Sequence, residues 1–486
     1  MSKSVKTNFI LNLIYNMSGL LFHLITFPYV SRILLADGIG IIQFYQSIIN
    51  YIALLTTIGI PFYAVREIAR VRDDSIKCSV ITIEILLLHI LLTIVGYLIV
   101  FILICSVSRV QVNPALFLLL SCHLILSAIG AYWFYQGIED FKYIAIRALI
   151  VRVLSLIALF VFVKEREDIL IYAAIIVLAE AGNNIYNFVR LHKFIKLPSG
   201  FLSVFHPFRH LKPALKIFVL NLVISIYVNL DTVMLGFMKN DAIVGYYAAS
   251  SRITKSILSI VQSLGGVLLP RLSNYAETQQ LGSLQQLSKK SLGFILAFSL
   301  PLTVLVIFMA TPLIHLFCGS NFDPAILTIQ IMAPIILFIA VSNLAGPQIL
   351  YAIGKENLVI RATLFGAFVN VLLNISLIPH FNQLGAGLAT VVAEFVVMLL
   401  MIKFVNKYIL LNCFSSENKN YYYATIILAV LLGMSSILIS EEYLYCIIGS
   451  SVSIIAYISF LFYRKDPVLE PLLSFLKNNR FVERKL

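Results

Sequence analysis

"SVITIEILLLHILLTIVGYLIVFILI", residues 79–104, is an apolar run with no Lys or Arg and a single carboxylate, Glu84. About 20 apolar residues are enough to cross ~30 Å of hydrocarbon as an α-helix. The run is continuously apolar and lacks the period-2 alternation that is typical of an outer-membrane barrel strand. It therefore predicts a transmembrane helix.

The rest of the chain repeats this pattern. Hydrophobic residues make up 60% of the 486 positions, charged residues make up 12%, and the mean hydropathy is +0.95. Soluble domains carry about 25% charged residues. The sequence therefore predicts an all-α, polytopic membrane protein with about 14 transmembrane helices. The predicted spans are 9–31, 39–61, 79–104, 114–137, 143–163, 169–189, 213–237, 243–269, 291–317, 325–352, 358–378, 385–405, 421–440 and 443–463.

Basic residues are distributed unevenly between the predicted loops. With the N-terminus in the cytoplasm, the inner segments hold 28 of the 36 Lys and Arg residues, and three more lie within spans. The outer loops hold only Arg32, Arg109, Lys164, Arg166 and Lys239. The positive-inside rule then predicts that both termini lie in the cytoplasm. Because the net charge of +13 is explained by topology and lipid contact, no nucleic-acid partner is expected.

Short internal matches relate the second half of the chain to the first at offsets that drift only from 205 to 214 residues. The pairs are FILNL (9–13) with FVLNL (218–222), GIIQFY (40–45) with GYYAAS (245–250), NPAL (113–116) with DPAI (323–326), IRA (146–148) with IRA (360–362), and LAEA (178–181) with VAEF (392–395). Their common order predicts two pseudo-symmetric six-helix lobes that run parallel. The predicted domains are a lobe at 1–189, a cytoplasmic linker at 190–212, a lobe at 213–405, two helices at 406–463, and a basic tail at 464–486.

Polar residues recur at helical spacing in the first two spans of each lobe. Two facing repeats typically enclose a substrate site near the middle of the membrane, and polar stripes would line such a cavity. Alternatively, these side chains hold helices together by hydrogen bonds. The stripe residues are Asn12 and Asn16 in the first span, Gln43, Gln46 and Asn50 in the second, and Asn221, Ser225 and Asn229 in the seventh.

Three charged residues are predicted near the middle of the membrane in spans 7 and 8. Arg252 and Lys255 lie roughly 14–18 Å below the outer end of span 8, too deep for both to reach an interface. They suggest a water-filled cavity that receives an anion, with a structural ion pair as the alternative. Asp231 is predicted at a height similar to that of Arg252. A structural Asp231–Arg252 bridge and a bridge that substrate releases both stay open.

Other intramembrane charges are predicted in helices 3, 5, 6 and 12. Glu180 and Glu394 occupy equivalent repeat positions, which would also follow from architecture that both lobes inherited. Glu84 and Arg152 form a possible pair, most simply a structural one within the first lobe. The six cysteines are single, with no CxxC, and the histidines form no HExxH motif, so no metal site or other cofactor is predicted.

Three segments carry a family resemblance: residues 28–74, which end in "VREIARVRDD", together with "NLDTVMLG" (229–236) and "GYYAASSRI" (245–253). The chain resembles the polysaccharide transport branch of the multidrug/oligosaccharidyl-lipid/polysaccharide flippase superfamily, and the O-antigen-type flippases most of all. The resemblance implies movement of an undecaprenyl-pyrophosphate-linked oligosaccharide from the cytoplasmic to the periplasmic leaflet of a bacterial inner membrane, through a cationic cavity. It also implies coupling to an H⁺ or Na⁺ gradient, with a polysaccharide polymerase and chain-length proteins as possible partners.

Within that resemblance, Arg252 and Lys255 would meet the pyrophosphate or an acidic sugar, and Glu180 and Glu394 would be the candidates for proton coupling. Three alternatives stay open. A multidrug antiporter would need an acidic cavity for cationic drugs, and a lipid II flippase would share the helix count. A membrane glycosyltransferase or polymerase usually presents catalytic groups on a sizeable extramembrane loop, whereas every outer loop here is short.

Overall fold

A computed structural model describes residues 5–196, 206–262, 265–466 and 468. The described residues form α-helices, short 3₁₀ or π segments and turns, and they contain no strand. Ten helices in this part of the chain are long and apolar enough to cross a membrane. The all-α, polytopic prediction is therefore confirmed, whereas the count of 14 stays a prediction.

Two compact units divide the chain, Met1–Gly245 and Tyr246–Leu486. The division falls within a helix, and the predicted domain boundaries stay a prediction. The helices of the first unit are α1 (Val5–Thr57), α2 (Ile60–Val71), α3 (Ser75–Ser106), α4 (Ser108–Gln111), α5 (Pro114–Ile129), α6 (Tyr132–Gly137), α7 (Phe141–Phe162), α8 (Ile169–Val177), α9 (Asn183–Leu191) and α10 (Leu211–Met238), followed by the start of α11 (Asp241–Gln262).

The second unit contains the rest of α11 and the remaining helices. A π-helical segment at Leu344–Leu350 continues α16, and another at Tyr445–Gly449 leads into α20. The helices are α12 (Gly265–Glu277), α13 (Leu281–Phe308), α14 (Ala310–Cys318), α15 (Pro324–Met332), α16 (Ile335–Asn343), α17 (Glu356–Val405), α18 (Lys419–Leu438), α19 (Glu442–Leu444) and α20 (Ser450–Tyr463).

Two of these helices each contain two predicted spans, separated by one non-helical residue. Leu35 breaks α1 with φ 56° and ψ −174°, and Asn382 breaks α17 with φ 51° and ψ −131°. A positive φ is unfavourable for residues other than Gly, although Asn tolerates it better than most. It interrupts a regular helix. Both breaks lie in predicted loops, so the span boundaries there agree with the structure.

The start of α3 shows why the observed helix is longer than its predicted span. The Asp74 carboxylate accepts hydrogen bonds from the backbone N–H groups of Ile76 (3.2 Å) and Lys77 (3.0 Å), which caps the helix. The backbone N–H of Lys77 and its ammonium Nζ, which lies 3.2 Å from Asp74 Oδ2, hold the pKa of the Asp74 carboxyl below its usual range. The cap places the first turn four residues before the apolar run, so α3 begins at Ser75.

Many large apolar side chains lie on the outside of both units. Phe101 in α3 is 65% exposed, and Ile437 in α18 is 85% exposed. A soluble protein rarely carries such extended apolar surfaces, but hydrocarbon chains solvate them without cost. The exposed faces are therefore the lipid-facing surfaces of a multi-pass membrane protein.

Glycines allow the second half of α1 to approach the α10–α11 hairpin closely. A Cβ on Gly40 would lie 1.7 Å from the carbonyl oxygen of Asp241, and a Cβ on Gly245 would lie 2.0 Å from that of Ala36. At the same end of the unit, Arg109 donates to the carbonyl oxygen of Gly236 (2.9 Å) and to the Asp241 carboxylate (2.7 Å). This packing explains why α10 belongs to the first compact unit.

We expect Gly40→Ala to lower the thermal stability of the detergent-solubilised protein. The added methyl group must displace backbone, and overpacking of this kind costs about 1–3 kcal/mol. Gly282→Ala is the matched control, because a Cβ there meets nothing within 4 Å and alanine favours a helix. Thermal unfolding of the two variants should shift in opposite directions. An unchanged midpoint for Gly40→Ala would contradict the close approach.

Candidate functional site

Glu180 lies where the sixth predicted span changes its helical geometry. The α8 helix ends at Val177, Leu178–Gly182 form a π-helical turn, and α9 begins at Asn183. A π turn widens the helix by one residue per turn and is frequent at functional sites. The side chain of Glu180 is 31% exposed, so the turn leaves its carboxylate accessible.

Three side chains from α1 and α5 converge on that carboxylate. Gln46 Nε2 lies 3.4 and 3.3 Å from its two oxygens and donates a long hydrogen bond. His23 Nε2 lies 3.7 Å from Oε1, and His123 Nδ1 lies 4.0 Å from Oε2. We call Glu180, Gln46, His23 and His123 the Glu180 cluster. It brings together two residues that the sequence analysis predicted separately.

The hydrogen bonding of His23 determines what its ring presents to Glu180. Its Nδ1 lies 2.8 Å from the carbonyl oxygen of Gly19, which can only accept, so Nδ1 carries a hydrogen. In the neutral ring, Nε2 then directs a lone pair at the carboxylate. The contact becomes favourable only when a proton resides on His23 or Glu180. A proton on either residue would therefore turn this contact into a hydrogen bond.

The predicted stripe in the second half of α1 lies on a helix, and its role in lining a cavity stays a prediction. Gln43, Gln46 and Asn50 are half-buried and follow one another at helical spacing on one face of the helix. Gln46 from this stripe is the residue that reaches Glu180. The stripe therefore places amide groups next to the ionisable cluster.

The equivalent glutamate of the second repeat lies in a different setting. Glu394 is only 8% exposed and lies in the regular helix α17, whereas Glu180 lies in a π turn and is more accessible. The predicted equivalence of the two positions therefore does not extend to their surroundings. An ion-coupling role for Glu394 stays a prediction.

The predicted cations of α11 differ in exposure. Arg252 is half-buried, whereas Lys255 is exposed. In the preceding helix, Asp231 is 5% exposed and Asn229 is half-buried. Pairing of Asp231 with Arg252 stays a prediction. The side chains of four other predicted site residues lie outside the described part of the structure: Asn12, Asn16, Asn221 and Ser225.

The predicted pair of Glu84 and Arg152 is wrong. The Glu84 carboxylate is fully buried and accepts hydrogen bonds from Arg209 Nη2 (2.5 Å) and from the backbone N–H of His206 (2.7 Å). It also contacts His210 Nε2 at 2.9 Å. Arg152 donates instead to the Tyr15 carbonyl oxygen (2.7 Å) and to the Ser18 hydroxyl, with its guanidinium over the Tyr15 ring. The segment before α10 folds back and provides partners that a search of neighbouring spans could not find.

We expect Glu84→Gln to reduce the amount of folded protein without a specific transport defect. The change leaves the groups that face the carboxylate without their charged acceptor, and breaking a buried pair costs about 3 kcal/mol or more. Glu139→Gln is the matched control, because its bridge to Arg72 (2.7 Å) lies between side chains that are 47% and 41% exposed. Membrane abundance and the unfolding midpoint measure the difference. Wild-type values for Glu84→Gln would contradict a structural role.

Sequence reasoning missed both histidines of the Glu180 cluster. His23 lies seven residues after Asn16, so it continues the polar stripe of the first span, and that spacing could have identified it. His123 is isolated in an apolar segment and carries no such signal. Its role depends on the packing of α5 against α8 and α9, which bring it close to Glu180.

Comparison with known proteins gives two family matches. Residues 5–276 match the family described as "Polysaccharide biosynthesis protein", and residues 217–376 match the family described as "MatE". A candidate O-antigen transporter from Escherichia coli (strain K12) is 23% identical over 415 residues, which cover 84% of this chain and 99% of that protein. A candidate flippase, AglR, from Haloferax volcanii is 22% identical over 170 residues, which cover 34% of this chain and 35% of the relative.

Solved structures share the fold. The structure described as "Lipid II flippase MurJ, inward closed conformation" superposes with a TM-score of 0.63 at 16% identity, over 94% of this chain and 99% of that chain. An inward-facing multidrug resistance MATE family transporter of the MOP superfamily gives a TM-score of 0.64 at 13% identity, over 84% of this chain and 95% of that chain. These likenesses concern the fold alone.

Proposed function

The chain belongs to the polysaccharide biosynthesis protein family, and on this premise we propose that it is a flippase for a lipid-linked oligosaccharide. The substrate would be an undecaprenyl-pyrophosphate-linked repeat unit of O-antigen or a similar surface polysaccharide. It would move from the cytoplasmic to the periplasmic leaflet of a bacterial inner membrane by alternating access. A polysaccharide polymerase and chain-length proteins would then act on the exported unit.

One observation carries the proposal: two cations lie three residues apart on α11, with Arg252 half-buried and Lys255 exposed. Arg252 and Lys255 follow Asp241, the first residue of α11, by about 16 and 21 Å along the helix axis. Cations at that depth in a membrane helix usually mark a substrate or ion pathway. A pyrophosphate is the anion that such a pair suits, because a guanidinium binds phosphate oxygens in a bidentate manner. A cavity for cationic drugs would need acids in their place.

The Glu180 cluster supports coupling to a proton gradient. A carboxylate that lies 3.7 and 4.0 Å from two imidazoles provides groups on which a transported proton can reside. In the proposed cycle, the proton and the substrate favour different conformations of the protein. Binding of one therefore changes the affinity for the other, and this effect is the coupling free energy between the two sites. We propose protons as the coupling ion, because imidazole prefers a proton or a transition metal to Na⁺.

Reconstitution tests the substrate. The purified protein is placed in vesicles that carry an undecaprenyl-pyrophosphate-linked oligosaccharide, and a membrane-impermeant oxidant reports the sugar that reaches the outer leaflet. We expect faster exposure than in protein-free vesicles, and faster still with a proton gradient. Exposure of lipid II alone would favour a lipid II flippase. Uptake of a cationic dye without exposure of the oligosaccharide would favour a multidrug antiporter.

Reporter fusions test the orientation, which rests on the asymmetry of Lys and Arg between loops. Fusions at Arg109, Lys239 and Phe322 should give a periplasmic signal, because these loops carry few basic residues. Fusions at Lys77 and at the C-terminal tail should give a cytoplasmic signal. Protein abundance provides the control for each fusion. A cytoplasmic signal at Lys239 would contradict the arrangement of two parallel lobes.

A further inference from the structure

A cationic groove lies between α7 and α9, apart from the Glu180 cluster and from α11. It has a volume of about 690 Å³ and lies at the end of the first unit where α7 begins and α9 ends. Its charged lining residues are Asp140, Lys142, Arg147, Arg190 and Lys193, and Tyr143 and Tyr186 also line it. We call it the α7–α9 groove.

The charges of the groove do not balance. Arg190 Nη1 lies 3.0 Å from Asp140 Oδ2, and its guanidinium lies 3.8 Å from the centre of the Tyr143 ring, so Arg190 is neutralised and held. Lys142, Arg147 and Lys193 have no acid among the lining residues to balance them. Lys142 and Lys193 are exposed at the rim. The groove therefore has a net charge of three positive units.

Arg147 is the residue that points to a ligand. Its side chain is only 6% exposed, and none of its three guanidinium nitrogens has a hydrogen-bond partner among the described residues. Its guanidinium lies among tyrosines: the centre of the Tyr143 ring is 4.8 Å away, and Tyr15 and Tyr135 also interact with it electrostatically. A buried guanidinium with unused donors is costly unless an acceptor completes it. Since the described residues provide no such acceptor, a bound anion would complete the hydrogen bonding of Arg147.

We propose that the α7–α9 groove binds the phosphate-bearing head group of an anionic membrane lipid. Arg147 lies about 9 Å along the helix from the start of α7, which is the depth where head groups meet acyl chains. The apolar flank of the groove is open: Ile150 is 55% exposed and Val189 is 58% exposed. Acyl chains can lie on this flank while the phosphate accepts hydrogen bonds from Arg147. Basic pockets between transmembrane helices bind lipid head groups in this way.

The chain offers a matched control for this site. The repeat that pairs residues 146–148 with residues 360–362 makes Arg361 the equivalent of Arg147. Arg361 lies one turn into α17 and is exposed, so its guanidinium needs no ligand. The two arginines share residue type and repeat position but differ in burial. A specific lipid site should depend on Arg147 and not on Arg361.

Thermal unfolding of the full-length protein in a neutral detergent tests the proposal. Phosphatidylglycerol, phosphatidylcholine and inorganic phosphate are added separately. We expect phosphatidylglycerol to raise the midpoint and the other two to leave it unchanged. Arg147→Gln should weaken this effect at least about tenfold in lipid concentration, because a charge-assisted bond to phosphate is lost. Without lipid, its midpoint should equal or exceed that of the wild type, since an uncompensated charge has been removed. Arg361→Gln should respond like the wild type.

Three results would overturn the proposal. An undiminished effect of phosphatidylglycerol on Arg147→Gln would show that the groove is not the site. An equal effect of inorganic phosphate would exclude a lipid as the source, and an equal loss in Arg361→Gln would indicate non-specific charge. If Arg147→Gln does not fold, the double variant Lys142→Gln with Lys193→Gln at the rim of the groove replaces it and should weaken binding of phosphatidylglycerol. Native mass spectrometry then measures how much lipid this variant retains. Since binding is measured without transport, failure here leaves the proposed flippase function untouched.

Discussion

Replacing Glu180 by glutamine is expected to reduce transport by about five- to 150-fold, the range of a typical coupling free energy, while membrane abundance stays near that of the wild type. Glutamine keeps the shape and can still meet Gln46 and His23, but its amide cannot take up or release a proton. The proton gradient should then no longer accelerate exposure of the oligosaccharide. The vesicle assay with and without a gradient measures both effects.

Glu394→Gln is the matched control for this change. It removes a carboxylate from the equivalent repeat position, but from a regular helix where the side chain is only 8% exposed. We expect its effect on gradient dependence to be smaller than that of Glu180→Gln. His23→Gln should reproduce part of the Glu180 defect, because it removes one partner of the shared proton. Normal, gradient-dependent transport by Glu180→Gln would leave the cluster with a structural role only.

The sequence predicts the helices well because hydrocarbon imposes a single solution on the backbone. Each apolar run must satisfy its own N–H and C=O groups, so composition alone identifies a helix. Predicted loops at the ends of spans also agree with the breaks at Leu35 and Asn382. The π turn at Glu180 was not predictable, because the apolar period around it does not change enough to reveal one extra residue.

The partners of the charged residues could not be predicted with the same success. The need of Glu84 for a partner follows from its apolar surroundings, but the partner itself depends on where the segment before α10 runs. The helical period shows which face of its own helix a residue occupies. It does not show which residue of another helix lies opposite that face. For the same reason Gln46 and Glu180 were each identified alone, and their contact was not.

Arg252→Ala is the second change with a large expected effect. If Arg252 binds the pyrophosphate, its loss removes a charge-assisted hydrogen bond worth about 1.5–3 kcal/mol, which is roughly a ten- to hundredfold loss of transport. Arg252→Lys keeps the charge but not the bidentate geometry, so it should retain part of the activity. Surface polysaccharide and membrane abundance are measured together. Wild-type export by Arg252→Ala at normal abundance would eliminate the cationic site.

Substitution of Asp231 distinguishes a structural role of Arg252 from a role in substrate binding. Asp231 is only 5% exposed, so if it forms a structural bridge with Arg252, Asp231→Asn should lower abundance, since breaking a buried pair costs about 3–5 kcal/mol. The double variant Asp231→Asn with Arg252→Gln should then restore abundance, because neutralising both members removes the unpaired charge. If substrate instead displaces Asp231 from Arg252 during transport, Asp231→Asn should accumulate normally but export poorly, and the double variant should stay inactive. Because abundance and export move independently in these two cases, the comparison of the single and double variants distinguishes them.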